Sequence, residues 1–348
     1  MIVEEATQPN TPADPELSAQ RQKRDNWRAS DVFERFGLAG LFAVVIIVFS
    51  VLRPHTFATA ANWRSIATTQ SVLAVLAMAM LPPLVCGRFD VSVGANMTMC
   101  AIGAAALMSF HGVSLVPAIL FAIALGTFVG FLNGVVVAYL GVNSIIATLG
   151  AATIMGGLVT AYTHGIPISA NLPSGLTNLS IHNVAGVPVL FLLMVAIGLA
   201  AWFVLTQTPF GRRLQAVGTN LSAARLTGLS VNWLVLLSFM LAGALSGLAG
   251  VLLIATRGSA GPDTADLGTI LPSLAAAFLG ATTWQPGRYN VPGTVLALFF
   301  LGAVTSGLAL IGTQPWVTDV FNGTVVIVAV ALGVQIKRQR IGSLEVGG

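Results

Sequence analysis

Charged residues are scarce in this sequence: they make up 8% of 348 residues, against about 25% in soluble domains. Hydrophobic residues make up 55% and the mean hydropathy is +0.87. This composition cannot build a water-soluble surface, so a soluble globular protein is excluded. With roughly 20 apolar residues for each membrane crossing, the composition predicts an all-α integral membrane protein of about ten transmembrane helices, some of them broken.

Lysine, cysteine and histidine are also rare. Neither lysine, Lys23 or Lys337, follows the glycine-rich run of a phosphate-binding loop, so this chain does not hydrolyse ATP by that route. The two cysteines, Cys86 and Cys100, form no disulfide framework or metal motif. The four histidines lack metal-ligand spacing: His55, His111, His164 and His182. We expect no metal, cofactor or catalytic residue, and hence no enzyme.

Carboxylates are absent from the middle of the apolar segments. Asp90, Asp263, Asp266 and Asp319 all fall in turns, loops or helix starts. Ion-coupled carriers usually keep such groups inside the membrane. A secondary active transporter is therefore disfavoured, while a passive channel and a permease driven by a partner protein remain open.

The apolar runs divide the chain into a membrane domain and two tails. Residues 1–36 are predicted to be a disordered cytoplasmic tail without a cleaved signal peptide, residues 37–335 a transmembrane domain, and residues 336–348 a cytoplasmic tail. The predicted spans are 37–53, 66–86, 92–110, 115–139, 144–162, 187–206, 232–255, 268–283, 291–311 and 317–335.

Basic residues give these spans an orientation. With both termini inside, thirteen of the 16 Lys and Arg residues fall on the cytoplasmic side. They are Arg21, Lys23, Arg24, Arg28, Arg35, Arg88, Arg212, Arg213, Arg225, Arg288, Lys337, Arg338 and Arg340. Only Arg53, Arg64 and Arg257 fall outside. Orientation explains the net charge of +4, and no basic stripe interleaved with aromatics indicates nucleic-acid binding.

Proline and glycine interrupt the early spans. Pro82 and Pro83 are predicted to break the second span, and the segment from Gly87 to Gly94 turns the chain back into the third. Such breaks favour a polar pathway, although a proline kink that serves packing alone explains them equally well. Glycines at four-residue spacing are typical of closely packed helix pairs: Gly126, Gly130 and Gly134, and Gly243, Gly247 and Gly250.

The longest inner connection, residues 207–231, contains a short capped helix. Asn220 is the predicted N-cap, Leu221 to Leu226 the helix, and Gly228 the C-terminal cap. Small Ala223 and Ala224 would let this helix lie in a groove on another protein. An ordinary amphipathic surface helix is the alternative.

This connection resembles the cytoplasmic coupling loop of bacterial ABC importer permeases, in the branch that carries ribose, xylose, galactose and related monosaccharides. The matching residues are Thr208, Phe210, Gly211, Arg212, Gly218, Asn220, Ala223, Ala224, Arg225 and Gly228. Ser222 stands where the family pattern has glutamate. We expect this substitution to weaken or alter the contact with the ATPase that the resemblance implies.

Three further stretches resemble the same family, in order and at compatible spacing over residues 37–335. They are the turn Gly87-Arg88-Phe89-Asp90-Val91-Ser92-Val93-Gly94, the pair Asn133-Gly134 with Ala147-Thr148-Leu149-Gly150, and Gly280-Ala281-Thr282-Thr283 with Gly287-Arg288 and Gly293-Thr294. Each motif alone is weak, but four in register are specific.

Polar residues at the turn and within the spans are the remaining candidates. Asp90 or Ser92 is predicted to accept backbone N–H bonds at the start of the third span, with direct contact to the substrate as the alternative. Arg88 is predicted to pair with Asp90 or to anchor the inner interface. Polar residues within spans are candidates for the solute pathway: Gln70, Asn96, Asn133, Thr148 and Asn322. Each could instead bond a neighbouring helix.

The resemblance implies the permease subunit of an ATP-driven sugar importer in the bacterial inner membrane. It implies an ABC ATPase subunit, a periplasmic solute-binding protein and a second permease, identical or paralogous, as partners in the lipid membrane. Permeases for branched-chain amino acids, nucleosides or a furanosyl signal remain alternatives within the superfamily. A partner-independent channel or ion-coupled carrier is the alternative of another class.

Overall fold

The computed structural model describes residues 35–262 and 267–345, except the side chains of 267 and 333–345. The polypeptide is predominantly helical within these ranges. Residues 1–34, with the basic residues predicted there, Asp263, Asp266 and residues 346–348 lie outside them. The division into a domain and two tails stays a prediction, although the last helix runs to Glu345 and the first begins at Arg35.

The first half of the chain contains five long helices. They are α1 (Arg35–Leu52), α2 (Ala60–Val85), α3 (Val93–His111), α4 (Leu115–Ala138) and α5 (Ser144–Thr163). A small segment without long helices follows, with α6 (Ser174–Thr177), a 3-10 turn (Asn178–Ser180) and an antiparallel hairpin of β1 (Asn183–Val184) and β2 (Val187–Pro188).

The second half contains four long helices, one shorter helix and the inner connection. They are α7 (Val189–Trp202) with a π-helical extension (Phe203–Gln207), α8 (Pro209–Thr219), α9 (Leu221–Leu226), α10 (Val231–Arg257), α11 (Leu267–Gly280), α12 (Val291–Leu310) and α13 (Pro315–Glu345). In the described ranges, nine helices are long and apolar enough to cross a membrane, and α11 is a shorter apolar helix. An all-α multi-pass membrane fold is therefore confirmed.

Helix α2 lies at the centre of the bundle. Most residues of α2, α3 and α10 are buried, whereas only 11% of the residues are buried in α1 and in the part of α13 from Pro315 to Leu332. The exposed residues of the outer helices are large and apolar, among them Ile47, Val51, Ile154 and Ile327. Such surfaces suit lipid or another membrane protein.

The prediction that Pro82 and Pro83 break the second span is wrong. Helix α2 continues through both prolines to Val85. Proline lacks an N–H but keeps its carbonyl, and these carbonyls accept hydrogen bonds from the amides of Cys86 (3.4 Å) and Arg88 (2.8 Å). The helix thus ends only after the prolines.

Glycines join α4 and α10 into the tightest helix pair of the bundle. A methyl group at Gly126 would overlap the carbonyl oxygen of Gly243, and one at Gly130 would overlap that of Phe239. A methyl group at Gly247 would likewise overlap the carbonyl oxygen of Ala122. The predicted close packing of these glycines is confirmed, because backbone meets backbone at each of them.

Replacing Gly130 by Ala is expected to lower the thermal stability in detergent, because the backbone at Phe239 cannot move out of the way. Overpacking of this kind costs about 1–3 kcal/mol. Buried Cys86 and Cys100 permit a measurement of unfolding with a thiol-reactive dye. Gly157→Ala on α5 is the control, since no described atom lies within 4 Å of a methyl group there. Equal melting temperatures for the two variants would contradict the packing argument.

Candidate functional site

The turn between α2 and α3 is held by hydroxyl groups of α5. The amide of Phe89 donates to Oγ of Ser144 at 3.1 Å, and the amide of Val91 donates to Oγ1 of Thr148 at 3.1 Å. Ser144 and Thr148 are four residues apart and so lie on one face of α5. Two amides that the turn frees from helical bonding thus receive acceptors from one neighbouring helix.

Asp90 is buried at the centre of this turn. Its Oδ1 accepts hydrogen bonds from the amide of Ser92 at 2.9 Å and from the hydroxyl of Ser92 at 2.5 Å. Asn133 on α4 donates in turn to Oγ of Ser92 at 2.8 Å. Burial raises the pKa of the Asp90 carboxyl to about 6, and the bonds from Ser92 oppose this rise. Asp90, Ser92 and Asn133 therefore form one buried chain.

Asp90 and Ser92 have different roles at the start of α3. Asp90 accepts the backbone amide of Ser92, the N-cap residue. The side chain of Ser92 makes no capping bond to α3, because its hydroxyl is committed to Asp90 and Asn133. Asp90 is thus paired with Ser92 rather than with Arg88.

Glycines at both ends permit the tightness of the turn. Gly87 has a φ of +76°, which favours glycine. At Gly94 a methyl group would come within 2.5 Å of Cγ1 of Ile270 on α11. The turn is therefore packed against α11 as well as bonded to α4 and α5.

The five predicted pathway residues do not form one group. Asn133 of α4 and Thr148 of α5 form hydrogen bonds to the turn between α2 and α3. Asn96 donates to the carbonyl of Gly126 at 3.3 Å and accepts from the thiol of Cys100 at 3.4 Å. Gln70 is buried against Gly302. Oδ1 of Asn322 is buried and has no hydrogen-bond partner among the described residues. Lining of a pathway stays a prediction for all five.

The predicted inner connection folds as two helices, α8 and α9. Oγ1 of Thr208 caps α8 by accepting the amide of Gly211 at 3.3 Å, and Pro209 occupies the first turn. Gly211 packs so closely on the backbone of Leu205 that a side chain would overlap it. Arg212 adds a hydrogen bond from Nη1 to the carbonyl of Gln207 at 2.9 Å. Helix α8 is thereby folded back onto the end of α7's π-helical extension.

Helix α9 has the bounds and caps that the sequence predicts. Oδ1 of Asn220 accepts the amide of Ala223 at 2.9 Å. Gly228 has a φ of +80° and donates to the carbonyl of Arg225 at 3.0 Å, while Leu229 donates to that of Ala224 at 3.2 Å. These two bonds form a Schellman motif. The short helix is therefore fixed at both ends.

The outer face of α9 differs from the predicted one. Ala224 is buried against the rest of the chain, whereas Ser222, Ala223 and Arg225 are exposed. Leu226, which the sequence reasoning missed, is 90% exposed. The sequence could have indicated this exposure, because Leu226 lies two residues after the buried Ala224 and therefore on the opposite side of the helix. An apolar side chain stands at the tip of this helix without cover from the described chain.

Helix α8 touches the end of the central helix. A side chain at Gly218 would overlap the carbonyl oxygen of Val85, the last residue of α2. A methyl group at Gly87 would lie 3.8 Å from Cα of Gly218. The inner connection and the polar turn, which the sequence presents as separate motifs, thus meet backbone to backbone.

An open groove of about 490 Å³ lies beside α9. Its lining comes from the end of α4, from α9 and from the start of α10: Tyr139, Arg225, Leu229, Ser230, Val231, Asn232 and Trp233. Within the part of the chain that the structure describes, no three His, Cys, Asp or Glu side chains gather to hold a metal ion.

Comparison with known proteins gives a family. Residues 62–330 match the family described as the branched-chain amino acid transport system / permease component. The ribose import permease protein of Escherichia coli K12 is 32% identical over 302 residues, which are 86% of this chain and 93% of the relative. The D-allose transport system permease protein of the same strain is 28% identical over 304 residues, 86% of this chain and 91% of the relative.

A third relative comes from Salmonella. The autoinducer 2 import system permease protein of Salmonella paratyphi B is 31% identical over 295 residues, 84% of each chain. No solved structure matches the chain. The matches therefore span nearly the whole membrane part rather than one motif.

Thr148→Val is expected to destabilise the protein, because it leaves the half-buried amide of Val91 without an acceptor. A fully buried unsatisfied donor costs about 1–3 kcal/mol, so we expect a loss of about 1 kcal/mol here. Thr153→Val on the same helix is the matched control, since its hydroxyl is exposed and bonds only to Leu149 of α5. Thermal unfolding in detergent measures both variants. Should Thr148→Val melt at the temperature of the control, the turn does not depend on α5.

Proposed function

This chain belongs to the branched-chain amino acid transport system permease family, and on that basis we propose that it carries a monosaccharide as the membrane subunit of an ATP-driven importer. It is a multi-pass protein of the bacterial inner membrane, as its import permease relatives and its apolar helices indicate. The relatives described above are named for ribose, allose and autoinducer 2. A small hydroxylated solute is therefore favoured over a branched-chain amino acid.

The observation that carries this proposal is the contact between Gly218 and the end of α2. Helix α9 offers Leu226 to a partner on one side, and α8 rests on the carbonyl of Val85 on the other. A push on α9 is transmitted through α8 to the central helix, because backbone atoms in contact cannot yield. The polar turn lies directly beyond this contact.

The energy source is assigned to a partner. ATP hydrolysis belongs to a separate ABC ATPase subunit that binds α9 through Leu226, Ala223 and Ser222. Ser222, in place of the glutamate of the family pattern, offers a hydroxyl there without a charge. The groove beside Arg225 leaves room for the flank of the same partner. This assignment explains why the chain itself needs no phosphate-binding loop.

The remaining partners follow from exposure and charge. We place both termini in the cytoplasm, because thirteen of the 16 basic side chains then lie inside. A second permease and lipid share the exposed apolar faces of the outer helices. A periplasmic binding protein delivers the solute to the opposite face. The solute then passes between alternating outward and inward states of the bundle. The candidates to meet it there remain Gln70, Asn96, Asn133, Thr148 and Asn322.

Leu226→Asp is expected to reduce copurification of the ATPase at least tenfold, because apolar anchors of this kind contribute about 2 kcal/mol or more to an interface. The side chain is exposed, so the thermal stability of the permease itself should not change. Leu226→Met is the matched control and should retain the partner. Full retention of the ATPase by Leu226→Asp would place the docking surface elsewhere.

The energy source is tested by uptake into cells. ATP depletion with an intact proton gradient is expected to abolish solute uptake. Collapse of the gradient at constant ATP should leave the rate of uptake unchanged. Affinity purification from the native host should yield an ATP-binding subunit. The opposite pattern, with no such subunit and with uptake that follows the gradient, would indicate an ion-coupled carrier.

A further inference from the structure

A second cavity, of about 330 Å³, opens between the start of α2 and the outer segment that holds the β-hairpin. Its seven lining residues are one arginine, five neutral polar residues and one isoleucine. They are Arg64, Ser65, Thr68 and Thr69 of α2, and Ser180, Ile181 and Asn183 of the outer segment. Nothing in the proposed coupling between α9 and α2 uses this cavity.

The α2 side of the cavity is a face of free hydroxyl groups. Ser65, Thr68 and Thr69 lie on one face of the helix, since they are separated by three, four and one residues. The hydroxyls of these three residues form no hydrogen bond among the described residues. Elsewhere in the bundle, the hydroxyls of Ser71 and Thr127 bond to the carbonyls four residues earlier. The face therefore keeps donors and acceptors that other helices use internally.

The opposite wall of the cavity adds both hydrogen-bond donors and acceptors. The hydroxyl of Ser180 donates to the carbonyl of Thr177 at 3.0 Å and keeps its own lone pairs. The amide of Asn183 donates to the carbonyl of Ile181 at 3.2 Å, which leaves its Oδ1 as an acceptor. Arg64 is fixed by a bond from Nε to the carbonyl of Gly186 at 3.0 Å, so its terminal nitrogens remain as donors.

This lining matches the chemistry of a polyhydroxylated solute. A sugar hydroxyl both donates and accepts, and it binds best where neutral hydroxyls and amides offer both partners. The volume lies at the small end of the range for ligand pockets, roughly 300–1,000 Å³. With a single cation and otherwise neutral groups, the cavity suits a neutral sugar better than an amino acid with its two charges.

We propose that Ser65, Thr68 and Thr69 form, with Ser180, Asn183 and Arg64, a solute-binding site at the outer mouth of the permease, where the sugar first contacts this chain. The inference rests on the proposed function, because the solute class and the outward position of Arg64 both come from it. It adds a recognition step within the permease, after release from the binding protein.

The double variant Thr68→Val/Thr69→Val tests the site, because valine keeps the shape and removes both hydroxyls. The complete permease–ATPase complex in proteoliposomes, supplied with the binding protein, is assayed with labelled D-ribose, D-allose and autoinducer 2. Loss of two hydrogen bonds should lower uptake per ATP hydrolysed about tenfold for the solute that the wild type carries. Thr153→Val, whose hydroxyl bonds within α5, should behave as wild type.

Each outcome has one meaning. Wild-type levels of uptake in the double variant would overturn the site and leave the importer intact. Failure of the wild type to take up any of the three solutes, D-xylose or D-galactose at the expense of ATP would overturn the proposed function, and the site with it. Melting temperatures of the purified variants show whether lost uptake reflects lost structure.

A labelling experiment gives a second measurement that does not depend on transport. Ser65→Cys is exposed, whereas native Cys86 and Cys100 are buried, so a membrane-impermeant maleimide should modify only the introduced thiol. D-Ribose at high concentration, added to the complex without the binding protein, should slow this modification about threefold or more if it occupies about two thirds of the sites. An unchanged rate with every one of the three solutes would overturn the proposal.

Discussion

The need to give each free amide of the turn between α2 and α3 an acceptor determines how the centre of this protein is built. A turn placed against packed helices cannot rely on water, and the turn after α2 exposes the amides of Phe89 and Val91. Helix α5 receives them through Ser144 and Thr148. The polar residues that look available for a solute are thus largely used by the fold, and Asn133 is used in the same way through Ser92.

Glycine serves two different purposes in the bundle. Between α4 and α10, Gly126 and Gly130 remove side chains so that two long helices form one rigid unit. At Gly218 the same close backbone contact joins α8 to the end of α2. The first contact gives the permease a fixed body. The second gives the ATPase a lever on its central helix, under the function proposed above.

The helices could be read from the sequence because apolar length and capping are local properties. All ten predicted spans correspond to helices, and α9 appears with its predicted bounds because Asn220 and Gly228 fix it locally. The pattern did not predict that α2 continues through Pro82 and Pro83. It also did not predict that Thr148 bonds to a turn distant in sequence, because that contact depends on tertiary packing. The exposure of Leu226 depended on which face of α9 packs inward.

Helix α9 has only six residues, and an isolated helix of this length does not persist in water. Here the Asn220 cap and the Gly228 turn hold it before any partner arrives. A protein that docks on Leu226 therefore loses little conformational entropy on this side of the interface. Recognition can then be rapid and repeated in each transport cycle, because no segment has to fold and unfold with every encounter.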